Sequence, residues 1–267
     1  MTSWTALSPT QHKKLSWHRF TDYHFAQADA FAPLLVAELA EALAFYPLAF
    51  IPADGRYQLV VIQSLEPGSN AYVDTKGEWR VSYVPSIYRS HPFRLLPSLD
   101  NPAKPLVCFD SDSPLISPGG HGTGGQPLFD TESKPAKALE QVIDFLKKRM
   151  KNQHITEKLV SALDEQQLIV PWPIKHRARG SNKEKLIQGY YQINETRLRE
   201  LPPNALATLA QSGALAIAYG QLLSQARISQ LTRLLEHRGD QARRSPADDL
   251  DLERFFEDGG GSLSFPS

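Results

Sequence analysis

Leu48-Ala49-Phe50-Ile51-Pro52-Ala53-Asp54-Gly55-Arg56-Tyr57-Gln58-Leu59-Val60-Val61-Ile62 decides the fold class. Two apolar runs, Leu48 to Ile51 and Tyr57 to Ile62, flank the turn residues Ala53-Asp54-Gly55, which reads as an antiparallel hairpin. Upstream, Pro33 followed by Leu34-Leu35-Val36, Leu39, Ala40 and Leu43, with Glu38 and Glu41 between them, predicts a helix over 33–45. Pro47 ends it. Downstream the β texture continues: Ala71 to Val73, a turn at Thr75-Lys76-Gly77, Trp79 to Val84, then a buried strand at Leu106 to Phe109.

Further along, apolar spacing changes from two to about 3.6. Residues 136–151 and then Ile155 to Leu168 read as two helices. Lys147, Lys148, Arg149 and Lys151 suit the C-terminal end of the first, as a solvated basic cap. Pro171 to Ala178 and Leu186 to Ile193 read as two strands around a polar turn. Asn194 is a natural N-cap for a helical run to about His237, with a break near Ser212-Gly213. The expected fold class is α+β, an antiparallel or mixed sheet with a largely helical C-terminal half. One domain is expected over 1–238, with its best internal boundary within 111–135, where five glycines crowd 119–125. A flexible acidic tail is expected over 239–267, because residues 240–258 hold seven acids and three arginines.

The 267 residues carry 29 Lys and Arg against 29 Asp and Glu, with 41% hydrophobic residues. These values exclude wholesale disorder, collagen and coiled coil, and they provide no global field for nucleic acid. The tail's acidic surplus conceals a modestly cationic body. Met1 to Phe20 lacks a continuous apolar stretch, so a Sec leader is not expected and the expected address is cytoplasmic. Leu201 to Ala226 holds no charged residue, yet Pro202, Pro203, Asn204, Gln211 and Gln221 interrupt it, so no transmembrane segment is expected. Cys108, the one cysteine, lies in an apolar run and reads as core filler.

Chemical motifs are sparse. Gly120-His121-Gly122-Thr123-Gly124-Gly125 matches the letters of a dinucleotide loop, but Gln126-Pro127 follows where a helix must open. His18, Asp22 and His24 make the only local metal-like grouping; no metal site, cofactor or catalytic residue is assigned. A cluster of aromatics and arginines over residues 79–94 stands out. Trp79, Arg80, Tyr83, Tyr88, Arg89 and Phe93, with Asp110 and Asp130 nearby in sequence, are the candidate ligand-binding residues: guanidiniums grip carboxylate or phosphate, and aromatic rings supply flat amphipathic surface. The competing reading is a packed corner whose arginines bridge to Asp110 or Asp130.

Several segments in order carry a family likeness. Tyr46-Pro47-Leu48-Ala49-Phe50, Tyr83-Val84-Pro85-Ser86-Ile87-Tyr88-Arg89-Ser90-His91-Pro92-Phe93, Phe109-Asp110-Ser111-Asp112-Ser113-Pro114 and Pro127-Leu128-Phe129-Asp130 resemble the SapC family of bacterial proteins. Leu168 to Pro173, Gly189 to Asn194 and Ser212 to Tyr219 extend the likeness over roughly 25–238. The resemblance implies association with bacterial surface-layer proteins, and a genomic setting near outer-membrane nutrient receptors and flavin-dependent halogenase-like proteins. It implies no reaction and no catalytic residues. Two functions are therefore expected in competition. The first is a non-enzymatic accessory or binding protein that recognises an unknown small molecule or protein partner through the 79–94 segment. The second is an enzyme, metal-assisted or peptide- or glycan-modifying, assembled from Asp110, Asp112, Asp130 and histidines. No nucleic acid partner is expected, and a homo-oligomer stays open.

Overall fold

Asp54 and Gly55, with φ of 49° and 74°, close the hairpin between β4 (Leu48–Ala53) and β5 (Arg56–Ile62), which pair from Ala53↔Arg56 to Leu48↔Val61. Both central turn positions have positive φ, the geometry that suits an Asp-Gly hairpin. The computed structural model describes residues 3–98, 101, 104–119, 124–177 and 184–243. Leu48, Ala49 and Phe50 are all buried, as are Leu59 to Ile62. Consecutive burial means that both faces of the hairpin are covered. Each large apolar side chain buried here contributes about 1.5–3 kcal/mol.

The hairpin is the centre of an antiparallel five-stranded sheet. Its order is β10 (Ile169–Pro171), β13 (Tyr191–Ile193), β4, β5 and β3 (Phe31–Pro33). Helix α2 (Lys137–Glu165) packs on β5, and α5 (Ala214–Ser224) packs on β4, β13 and α2. A smaller apolar core, with Trp17, Phe93, Phe109, Leu128 and Phe129, gathers two three-stranded sheets. One is β1 (Trp4–Ala6), β7 (Leu106–Asp110) and β6 (Phe93–Leu96); the other is β8 (Ile116–Pro118), β2 (Leu15–Trp17) and β9 (Gln126–Pro127).

Helix α2 joins the two cores. It has 29 residues and is about 43 Å long. Leu139 and Leu146 enter the small core, while Leu159, Val160 and Leu163 enter the large one. The two helices expected over 136–168 are thus one, because Lys151 to His154 holds no Gly or Pro to break them. The basic run lies mid-helix, so the macrodipole does not account for it. Lys147, Lys148 and Lys151 are exposed, and Arg149 turns inward.

Other expectations need correction. The helix over 33–45 shrinks to a 3₁₀ turn, Val36–Glu38, and one turn of α1 (Leu39–Ala42), because Phe31–Pro33 is recruited as an edge strand. Ala71 to Val84 forms no ladder beyond the single bridge Val73↔Trp79. Asp74 accepts from the amides of Lys76 and Glu78, which closes a side-chain turn in place of a hairpin. The strands expected near 171–178 and 186–193 each divide: β10 pairs with β13, while β11 (Ile174–Arg177) pairs with β12 (Glu184–Ile187). The stretch 111–135 is tied to the N-terminal region, since β8 and β9 flank β2. Of the polar turn expected at Arg179 to Lys185, residues 179–183 lie outside the described residues, as do Ala178 and the glycine-loop residues 120–123, while Glu184 and Lys185 belong to β12.

The helical C-terminal half follows expectation. Asn194 accepts from the amide of Arg197 and caps α3 (Glu195–Arg199). Gly213, with φ of 89°, breaks α4 (Pro203–Ser212) from α5. A 3₁₀ turn (Gln225–Arg227) then leads into α6 (Ile228–Arg243). Residues 244–267, the larger part of the expected tail, lie outside the described residues. Among the described residues no single helix is long and apolar enough to cross a membrane. The pair Pro203–Ser212 and Ala214–Leu235 qualifies only by length and composition, and is bent by 90°. Ala214, Ile217 and Ala218 of α5 are buried in the large core.

Candidate functional site

The segment 85–94 turns twice within ten residues. Arg89 N–H donates to Ser86 O, His91 N–H to Tyr88 O and Phe93 N–H to Ser90 O, and the His91-Pro92 peptide is cis. Behind this turn stands Glu38, buried at 7% exposure and surrounded by donors. Its Oε1 accepts from the Tyr83 hydroxyl at 2.5 Å and the Ser86 amide at 2.7 Å; its Oε2 accepts from the Ser86 hydroxyl at 2.8 Å and the Leu35 amide at 3.2 Å. Four donors on two oxygens fit an ionised carboxylate. The Ser86 hydroxyl accepts in turn from Arg149 Nε at 3.2 Å, so one serine links the carboxylate to a guanidinium on α2. Burial lowers the pKa of Arg149, and the charge of Glu38 opposes that shift.

Two clefts lie on either side of Ser90, between this turn and α2. The first, about 660 Å³, presents Arg94, Arg149 and His154 over an apolar bed that includes Ile87, Leu95, Leu146 and Met150. Among the described residues, the terminal nitrogens of Arg149 have no protein acceptor. The second cleft, about 450 Å³, is lined by Trp17, Arg19, Phe20, Arg89, His91 and Phe145, among others. Among the described residues no carboxylate lines either one.

The candidate residues fall in different places. Tyr88 and Phe93 are buried at 3% and 1%, and neither lines either cleft. The Tyr88 hydroxyl donates to Gln63 and also meets Asp29, whose carboxyl is raised by burial. Trp79 donates its Nε1 to the Tyr46 hydroxyl at 2.7 Å, and Tyr46 donates to Tyr83 O at 2.5 Å, so both serve the large core. Arg80 is half-buried, its amide donating to Tyr72 O. Tyr83 helps hold Glu38. Arg89 is exposed, donates to Val84 O and lies 5.3 Å over the Tyr83 ring, in reach of the second cleft. Asp110 is buried and accepts from the amide of Asp112; Asp130 accepts from the amide of Lys134 in its own turn. Among the described residues no bridge joins Arg89 or Arg94 to either carboxylate, and Arg94 stacks over Trp4 at 4.7 Å.

The residues considered for metal or thiol chemistry are also engaged elsewhere. Asp22 and His24 pair at 2.9 Å, where each stabilises the other's charge. A Cβ on Gly77, whose φ is +80°, would fall 2.5 Å from His24 Nδ1, while His18 packs against Gly125. Burial pushes the Cys108 thiol up. Sequence reasoning missed Glu38 and Arg149. The first sits in a helix-like pattern beside the exposed Glu41 and the second in a basic run, and no local signal separates either from its neighbours.

His91 stacks on Phe25, with centroids 3.8 Å apart, and burial lowers its pKa to about 4. The unfolded imidazole, near 6.5, binds a proton first, so His91 contributes stability that is complete above about pH 6.5 and lost as pH falls toward 4. Asp29, whose carboxyl is raised, works in the opposite sense. The urea midpoint of the parent protein should therefore fall more steeply from pH 6.5 to 4.5 than that of His91→Phe. Parallel slopes would exclude His91 as the source.

A family model described as SapC matches residues 7–231. No curated protein and no solved structure matches the chain.

Proposed function

The chain belongs to the SapC family, and from that premise we propose that it is a non-enzymatic binding or accessory protein whose first cleft holds an anionic amphiphile, a carboxylate or phosphate head on an apolar body. The observation that supports this reading is the restrained but open guanidinium of Arg149. Its Nε is occupied by Ser86, which Glu38 holds in turn, so the group is oriented before any ligand arrives. Arg94 adds a second cation, and Ile87, Leu95, Leu146 and Met150 supply the bed for an apolar body. The surface-layer association implied by the family, with a role in a bacterial envelope or nutrient-uptake setting from a cytoplasmic position, is the physiological context we propose.

Decanoate is a suitable probe. It should raise the melting temperature in proportion to the logarithm of its concentration, as a ligand bound only to the native state does. Decylamine should not. Arg149→Gln should weaken decanoate binding at least tenfold, because its side chain still donates to Ser86 but has lost the charge. Equal binding to parent and variant, or equal binding of the amine, would overturn the reading.

A further inference from the structure

The second cleft differs from the first in kind. Its walls include Trp17, Phe20 and Phe145, and two arginines, Arg19 and Arg89, stand at its exposed margin. Trp17 is 3% exposed, and its indole N–H has no acceptor among the described residues. His91, also in the wall, has a pKa lowered to about 4 and is neutral near pH 7, so it neither repels nor attracts charge. Ala138, in the first turn of α2, brings the positive end of that helix's dipole to the same cleft. Apolar rings and two cations at the margin describe a receptor for a flat apolar body with a negative oxygen group.

We propose that this cleft is a second binding site, distinct from the one around Arg149, and that it takes a small aromatic carboxylate. A volume of about 450 Å³ suits a molecule of one or two fused rings. The carboxylate is held by Arg19 and Arg89, and the ring lies between Phe20 and Phe145. Arg89 is braced for this role by its hydrogen bonds to Val84 O and its position over Tyr83.

The test uses the full chain, with 2-naphthoate as the probe and nitrogen-15 spectra of the indole N–H groups as the readout. Trp17→Phe identifies the Trp17 signal by its disappearance; should that variant fail to fold, specific assignment of the parent protein replaces it. 2-Naphthoate should shift the Trp17 signal through the ring current of the bound naphthalene, and 2-naphthamide should bind at least tenfold more weakly. Arg19→Gln/Arg89→Gln, at two exposed positions, should weaken naphthoate at least tenfold while leaving the melting temperature unchanged. Arg149→Gln should leave naphthoate binding as it is, which separates this site from the first cleft. An unmoved Trp17 signal at millimolar naphthoate overturns the proposal, as does equal affinity in the double variant or for the amide.

Discussion

Glu38→Ala should destabilise the protein by about 3–5 kcal/mol, since buried donors left without an acceptor cost about 1–3 kcal/mol each. The reason is what stays behind. The amides of Leu35 and Ser86, the Tyr83 hydroxyl and the Ser86 hydroxyl all lose their acceptor, in a place that water reaches poorly. Arg149 also loses the charge that opposes its desolvation. For a chain of this size the melting temperature should drop by roughly 10 °C or more. Glu38→Gln should cost less in packing but still more than 1 kcal/mol by the same reasoning, since its amide donors face donors. Combining Glu38→Gln with Arg149→Met should cost less than the sum of the two, by about 1–2 kcal/mol, because neither charge is then left alone. Strict additivity in thermal or urea unfolding would show that the Ser86 link carries no coupling.

Gln221→Ala should have the next largest effect, about 2–4 kcal/mol, for two buried backbone groups each left without a partner. Strands β13 and β4 meet at the single register pair Tyr191↔Phe50. Two residues on, an antiparallel ladder would pair Ile193 with Leu48, and there the fully buried Gln221 of α5 takes over. Its Oε1 accepts from the Ile193 amide at 2.9 Å, and its Nε2 donates to Leu48 O at 3.3 Å. One turn on, Ser224 Oγ accepts from the Leu48 amide at 2.9 Å. A helix side chain thus completes the sheet. Gln221→Glu should be nearly as damaging, since it removes the donor and adds a buried charge. Amide exchange at Ile193 should accelerate in Gln221→Ala; protection equal to the parent would mean that the ladder closes without the side chain.

These two residues mark where local sequence stops being informative. The hairpin from Leu48 to Ile62 was legible because its turn and its apolar runs are adjacent, and the same holds for the Asn194 cap and the Gly213 break. The basic run at 147–151 resembles a helix end but lies mid-helix, and nothing local says that Arg149 points inward while its lysine neighbours do not. Within the cluster at 79–94, Tyr88 and Phe93 face the cores, and the exposed arginines are Arg89 and Arg94. Pairing those with Arg149 or Arg19 joins residues more than fifty positions apart.

By itself, the sequence determined the α+β class, the central hairpin, the helical C-terminal half and the SapC family membership, because each depends on short-range periodicity, turn chemistry or ordered motifs. Only the tertiary structure decided that one helix serves two cores, that Glu38 and Arg149 meet through Ser86, and that Gln221 substitutes for a missing pair in the sheet. The physical reason is common to all three. Burying a charge or an amide is favourable only where distant partners supply the hydrogen bonds, and a polar residue carries no local mark of the partners it will meet.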